Sequence, residues 1–79
     1  GMELSIDTEV TPDADTRRDL AMTCREVIED IGVSRGWNVT DSLTQFYFYG
    51  ENYVVMKNRV QRILRDHPRY RNAMLRRVA

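Results

Sequence analysis

The spacing of hydrophobic positions changes several times along the chain, and each change marks an expected element. From Met2 to Val10 apolar and polar residues alternate, with Met2, Leu4, Ile6, Thr8 and Val10 on one parity. That is the period of a short strand. A single strand has no ladder partner, so residues 1–11 are read as an extended arm. Thr11-Pro12-Asp13 then carries the marks of a helix start: a capping hydroxyl, a proline fit for the first turn, and acids at the positive end of the dipole. Leu20, Cys24, Val27 and Ile31 follow at i, i+4, i+7 and i+11, one stripe on a helix. Arg25 and Glu29 are spaced as a surface pair. Gly32 suits a left-handed cap, so the helix is expected over 12–31.

Residues 33–39 read as a connection broken by Gly36, with Trp37 as a core anchor. The stretch 43–56 supports two readings. Phe46-Tyr47-Phe48-Tyr49 and Tyr53-Val54-Val55 are strand-prone, and Gly50-Glu51-Asn52 between them would turn a hairpin. Alternatively Thr40 or Asp41 caps a helix over 41–49 that Gly50 closes, and Asn52 caps another over 52–66. Tyr53, Met56, Val60, Ile63 and Leu64 share a face over five matches to the helical template, which favours the second reading. Pro68 disfavours helical geometry at His67 and suits a new first turn, and Tyr70, Met74 and Val78, with Leu75 beside them, share a face over 68–78. The fold expected is therefore all-α: four helices in one domain over 12–79 behind an extended arm. An α+β domain with a hairpin near residues 43–56 is the alternative.

Composition changes this picture little. Seventy-nine residues, 42% hydrophobic and 30% charged, make one globular domain near the lower size limit for an unaided core. A chain this short gains from self-association, so a homodimer enters the expectations. Gly1 ahead of Met2 reads as a remnant of expression, and the acidic stretch from Glu3 to Asp15 does not resemble a signal peptide. No apolar run approaches membrane-spanning length. The single cysteine, Cys24, implies no disulfide framework, so a cytoplasmic setting with no membrane partner is expected.

Charge changes it more. Net charge is +0, yet residues 1–56 hold eleven acids against four bases, a net of −7. Residues 57–79 hold eight bases (seven of them arginine) against Asp66 alone, a net of +7. A concentrated basic segment attracts phosphates or acidic surfaces, and arginine suits bidentate phosphate contacts. The competing use of those bases is to pair with the acidic half of the same chain or of a second copy.

Catalytic and metal chemistry find little support. His67 and Cys24 are the only residues of their kinds, too few for a four-ligand zinc site. Cys24 lies on the apolar stripe, where an inert thiol is the usual outcome. Asp13, Asp15 and Asp19 lack the spacing of a calcium loop. The expectation is a non-enzyme with no cofactor and no metal. A DNA-binding, helix-turn-helix-like reading centres on Gly50, after which Met56, Val60 and Ile63 fall inward and Lys57, Asn58, Arg59, Gln61, Arg62 and Arg65 outward. Phe46 at the helix crossing and Glu51 in the turn depart from that pattern. Asn58, Arg62, Arg65 and Arg69 follow i, i+4, i+7 and i+11 if the helix continues past Pro68.

The function expected is a small nucleic-acid-binding or regulatory protein. Lys57, Arg59, Arg62, Arg65, Arg69 and Arg76 would contact phosphates, with Asn58 and Gln61 toward the bases. A second route uses Tyr47, Phe48, Tyr49 and Tyr53 as stacking surfaces for single-stranded bases, best served by the hairpin reading. The favoured competing reading puts Phe46, Tyr49 and Tyr53 in the core with Trp37 and leaves Tyr47 and Phe48 partly exposed. The alternative is a protein-interaction adaptor or homodimer whose basic tail docks on an acidic protein surface.

Overall fold

A computed structural model describes all 79 residues. The chain is not all-α. It forms β1 (Met2–Asp7), α1 (Ala14–Ile28), β2 (Gly32–Val39), β3 (Leu43–Gly50), α2 (Tyr53–Asp66) and β4 (Met74–Arg77). Short 3-10 turns occupy Thr8–Val10 and Pro68–Tyr70. The four strands make one sheet in the order β2-β3-β1-β4, with every neighbouring pair antiparallel. It follows that β1 runs parallel to β2 with β3 between them, and β3 parallel to β4 with β1 between them. This is the split βαβ, or ferredoxin-like, arrangement.

The expected arm is thus a central strand. Its alternation marks the buried face: Met2 and Leu4 are fully buried and Ile6 nearly so, each facing the helices. What the pattern lacks is partners, and both come from distant segments. Leu4 lies opposite Phe46 of β3 and Leu75 of β4. The expected helix over 41–49 is β3, because its alternation satisfies the sheet on both sides. Phe46 and Phe48 point into the core with no exposure, and Tyr47 and Tyr49 point out. The alternative, an α+β domain, is right in class, but its hairpin near residues 43–56 is misplaced, since β3 turns back on β2 through residues 40–42 and not on the segment after Gly50. The expected helix over 68–78 breaks after one 3-10 turn, and Met74–Arg77 joins the free edge of β1.

Two helices persist, with trimmed ends. α1 is capped by Asp13, whose carboxylate accepts from the Thr16 N–H at 2.7 Å, in place of Thr11. It buries Leu20, Ala21, Cys24 and Ile28, and Gly32 opens β2 instead of closing the helix. Gly32 and Gly50 face each other across the first pair of β2 and β3. A side chain on Gly50 would run into the Ile31 carbonyl and the Gly32 backbone. α2 starts where the sequence indicated: the Asn52 side chain accepts from the Val55 N–H at 3.1 Å. It buries Met56, Val60 and Leu64.

Both helices cover the same face of the sheet, so the other face is open. Along β2 the register slips between Ser34 and Trp37, two residues opposing Tyr47 alone, and Gly36 adopts φ +85° to make that bulge. Trp37 therefore sits on an edge strand, tilted on Phe46 at 6.0 Å and still 37% exposed. It is not the sealed anchor expected.

Candidate functional site

α2 distributes its polar residues over three flanks of one core-facing helix. With Met56, Val60 and Leu64 inward, a 100° step per residue places Arg59 on the side toward α1. The same step places Lys57, Gln61 and Arg65 toward β4, and Asn58 and Arg62 on the outer ridge. The contacts follow this division. Arg59 Nη1 donates to Asp30 Oδ1 at 2.6 Å and to the Val27 carbonyl at 3.1 Å, so it ties α2 to α1. That bond holds the Asp30 carboxyl below the usual carboxylate range.

On the opposite flank, Lys57, Gln61, Leu64 and Arg65 form one wall of a cleft of about 480 Å³. The other wall is Tyr70, Arg71, Ala73, Met74 and Leu75, the connection into β4 and its first residues. No acid lines this cleft. None of Lys57, Arg65 and Arg71 has a carboxylate within ion-pair distance. Tyr70 lines the cleft from a half-buried position against the core, and on its other side its ring packs with His67, which lies outside the cleft, at 5.6 Å between centroids. Cations around an aromatic ring on an apolar floor can take phosphate groups along the walls and a planar group on the ring.

The remaining expected site residues divide. Arg62 and Asn58 are exposed on the ridge beside the cleft. Arg69 is not in line with them, because α2 ends at Asp66. It lies instead in a shallow depression with Glu9, Asp13 and Thr16. Arg76 is on the open face of the sheet, paired with Glu3 at 2.8 Å. Of the eight C-terminal bases, Arg59 and Arg76 neutralise acids of the first half of the chain, so self-pairing accounts for two and leaves six unpaired. The helix-turn-helix geometry around Gly50 does not exist, since a strand precedes that glycine. With it goes the basis for a recognition helix in duplex DNA, and for Asn58 as a reader of base edges. Sequence pattern passes over Arg71, which lies beyond Pro68; its place in the cleft depends on the chain turning back to form β4.

Two further features lie outside the cleft. A groove of about 500 Å³ lies between α1 and the β2 edge, lined by Arg18, Met22, Arg25, Glu29, Val33 and Trp37 among others. Cys24 is buried, and burial pushes its thiol up to about 12. No group of three or more His, Cys, Asp or Glu side chains is placed to hold a metal ion. No helix is long and apolar enough to cross a membrane.

Topology of this kind serves many unrelated activities, so the fold assigns none. The chain matches no protein-family model, no curated protein and no solved structure, which leaves the cleft and the sheet face as the guides to its function.

Proposed function

We propose that this domain binds single-stranded nucleic acid, with the backbone phosphates held in the cleft between α2 and β4. The observation that carries the reading is the convergence of Lys57, Arg65 and Arg71 on one acid-free cleft, none of them engaged by a carboxylate. Unpaired cations in a shared cleft cost free energy through mutual repulsion, which a polyanion relieves. Gln61 supplies a neutral donor and acceptor between Lys57 and Arg65, and Tyr70 supplies a ring. Arg62 extends the positive field along the outer ridge. A single strand suits this cleft better than a duplex, because the walls come from a helix flank and a short strand, and no helix stands clear to enter a groove.

Fluorescence anisotropy with labelled single-stranded RNA, single-stranded DNA and duplex, each at two salt concentrations, tests the reading. Single strands should bind more tightly than duplex, with affinity falling steeply as salt rises. Arg65→Ala with Arg71→Ala should reduce the salt slope by roughly one for each phosphate that is no longer neutralised. Absence of binding at low salt overturns the proposal.

A second reading is that the domain is a non-enzymatic adaptor. The exposed Met22, Val33 and Trp37 beside the β2 edge favour it, since an open strand edge flanked by apolar side chains is a site for protein contact. Trp37→Ala should leave nucleic-acid binding intact if that surface serves a different partner.

A further inference from the structure

The open face of the sheet carries an arrangement that the cleft does not explain. Its centre is an acid. Glu3 is 3% exposed on the face that no helix covers, and four donors saturate it. Ser5 Oγ donates to Oε2 at 2.9 Å and Gln45 Nε2 to Oε1 at 3.2 Å. Arg76 closes the set with Nε on Oε2 at 2.8 Å and Nη2 on Oε1 at 3.2 Å. The carboxylate therefore presents no free negative charge to the surface.

The same contacts fix Arg76. Its side chain is 68% exposed, and only two of the five guanidinium N–H groups are used by Glu3. The other three remain available from a plane locked in orientation. A pinned arginine loses less side-chain entropy on meeting a ligand than a free one does.

Beside this pair stands Tyr47. The register puts Glu3 between Tyr47 of β3 and Arg76 of β4, one row across the sheet. Tyr47 is half-buried on this face. Tyr49 follows on the same face, with Gly1 packed against its ring. The next row runs Asn38, Gln45, Ser5 and Met74, neutral and polar up to the exposed methionine at the edge. Met74 also lines the α2–β4 cleft, so the two surfaces share a border residue. A depression of about 330 Å³, bounded by Leu43, Gln45, Met74 and Arg76, lies on the sheet side of that border. The residual acid of the face, Asp7, is at the far end of β1 opposite Leu43.

We infer that this face is the base-binding half of the same surface: a nucleotide strand whose phosphates occupy the cleft crosses Met74 and lays a base on the Tyr47 ring. The inference rests on the nucleic-acid reading of the cleft. The exposed guanidinium of Arg76 then contacts a phosphate or base edge beside the stacked ring. The occupant is set by chemistry. A neutral planar group suits an aromatic ring among amides and hydroxyls, and the fixed cation suits the charge such a group carries on its backbone. An acidic protein would gain less there, because Arg76 is already partly committed to Glu3 and the next row, Asn38, Gln45, Ser5 and Met74, carries no charge.

The experiment compares two polyanions. A labelled oligouridylate of about ten nucleotides offers phosphates and bases, and inorganic polyphosphate, added as a competitor and measured by titration, offers phosphates alone. Tyr47→Ala should weaken the oligouridylate by about tenfold or more, the loss of one stacked base, and leave polyphosphate unchanged. Tyr47→Phe, which keeps the ring, should bind both as the unmodified protein does. Circular dichroism of each variant checks that it folds. Ultraviolet crosslinking of the oligouridylate to the unmodified protein supplies a measurement independent of mutation, with the adduct expected on the β3 peptide containing Tyr47. Equal loss for both probes, no loss for either, loss in Tyr47→Phe as large as in Tyr47→Ala, or adducts confined to α2 would each overturn this inference while leaving the cleft reading standing. Failure of the unmodified protein to bind either probe removes both.

Discussion

Arg76 holds Glu3 in a two-pronged contact across 73 residues of chain, joining the last strand to the first at the centre of the open face. The hydrogen bond from Arg76 is the main reason that the Glu3 carboxyl lies below its ordinary value, and burial, which acts the other way, does not reverse it. A carboxylate depressed in the folded state contributes stability that is fully present above its unfolded value and is lost as pH falls through the folded one. Stability should therefore decline below about pH 4.3, the ordinary glutamate value. Glu3→Gln should cost about 1–2 kcal/mol at neutral pH and flatten that acid limb. Urea melts at neutral and acid pH measure both; an acid limb as steep in the variant as in the parent would assign the loss to other groups.

Arg59 and Arg65, on opposite flanks of α2, should separate in their effects. Arg59 is committed to Asp30 and the Val27 carbonyl, so Arg59→Ala should lower the melting temperature and leave the salt slope of the proposed nucleic-acid binding unchanged. Arg65 has no carboxylate partner and lines the cleft. Arg65→Ala should do the reverse, reducing the slope by about one with little change in melting temperature. Identical behaviour of the two variants would contradict the division of the helix.

The parity of β3 predicts a contrast between adjacent positions. Phe46 is fully buried and touches Trp37, so Phe46→Ala should destabilise by about 3–5 kcal/mol, a large part of what a domain of this size holds. Tyr47→Phe should shift stability by no more than about 0.5 kcal/mol, since its hydroxyl has no bonded partner in the protein. Denaturant midpoints read both. Comparable losses would mean that the strand is not in this register.

Cys24 should resist thiol reagents in the native protein. It is fully buried on α1, and burial holds its thiol protonated to about 12. Labelling with a chromogenic disulfide reagent should track global unfolding and accelerate only in denaturant. Rapid labelling in buffer would place the thiol outside the core.

Local chemistry determined the helices. Asn52 as cap and the spacing of Tyr53, Met56, Val60, Ile63 and Leu64 specify α2 without reference to any other segment, and the acids before α1 mark that helix equally. Helical hydrogen bonds close within four residues, so a sequence window contains all their determinants. The division of charge between the two parts of the chain was also legible, and so was the collection of C-terminal polar residues from which the cleft draws Lys57, Gln61 and Arg65.

Strands were decided elsewhere. Phe46 to Tyr49 is four aromatics in a row, a pattern that suits either backbone until the two faces of a sheet tell them apart. Tyr70, Met74 and Val78 have helical spacing, yet β4 forms because β1 offers a free edge with Leu4 opposite Leu75 and Glu3 opposite Arg76. Arg76 and Glu3 stand 73 residues apart in the chain. The pairing of an edge is a non-local hydrogen-bonding and packing choice, made only once β1 has been placed beside β3. That choice is what brings Arg71 into the cleft and Arg76 beside Tyr47.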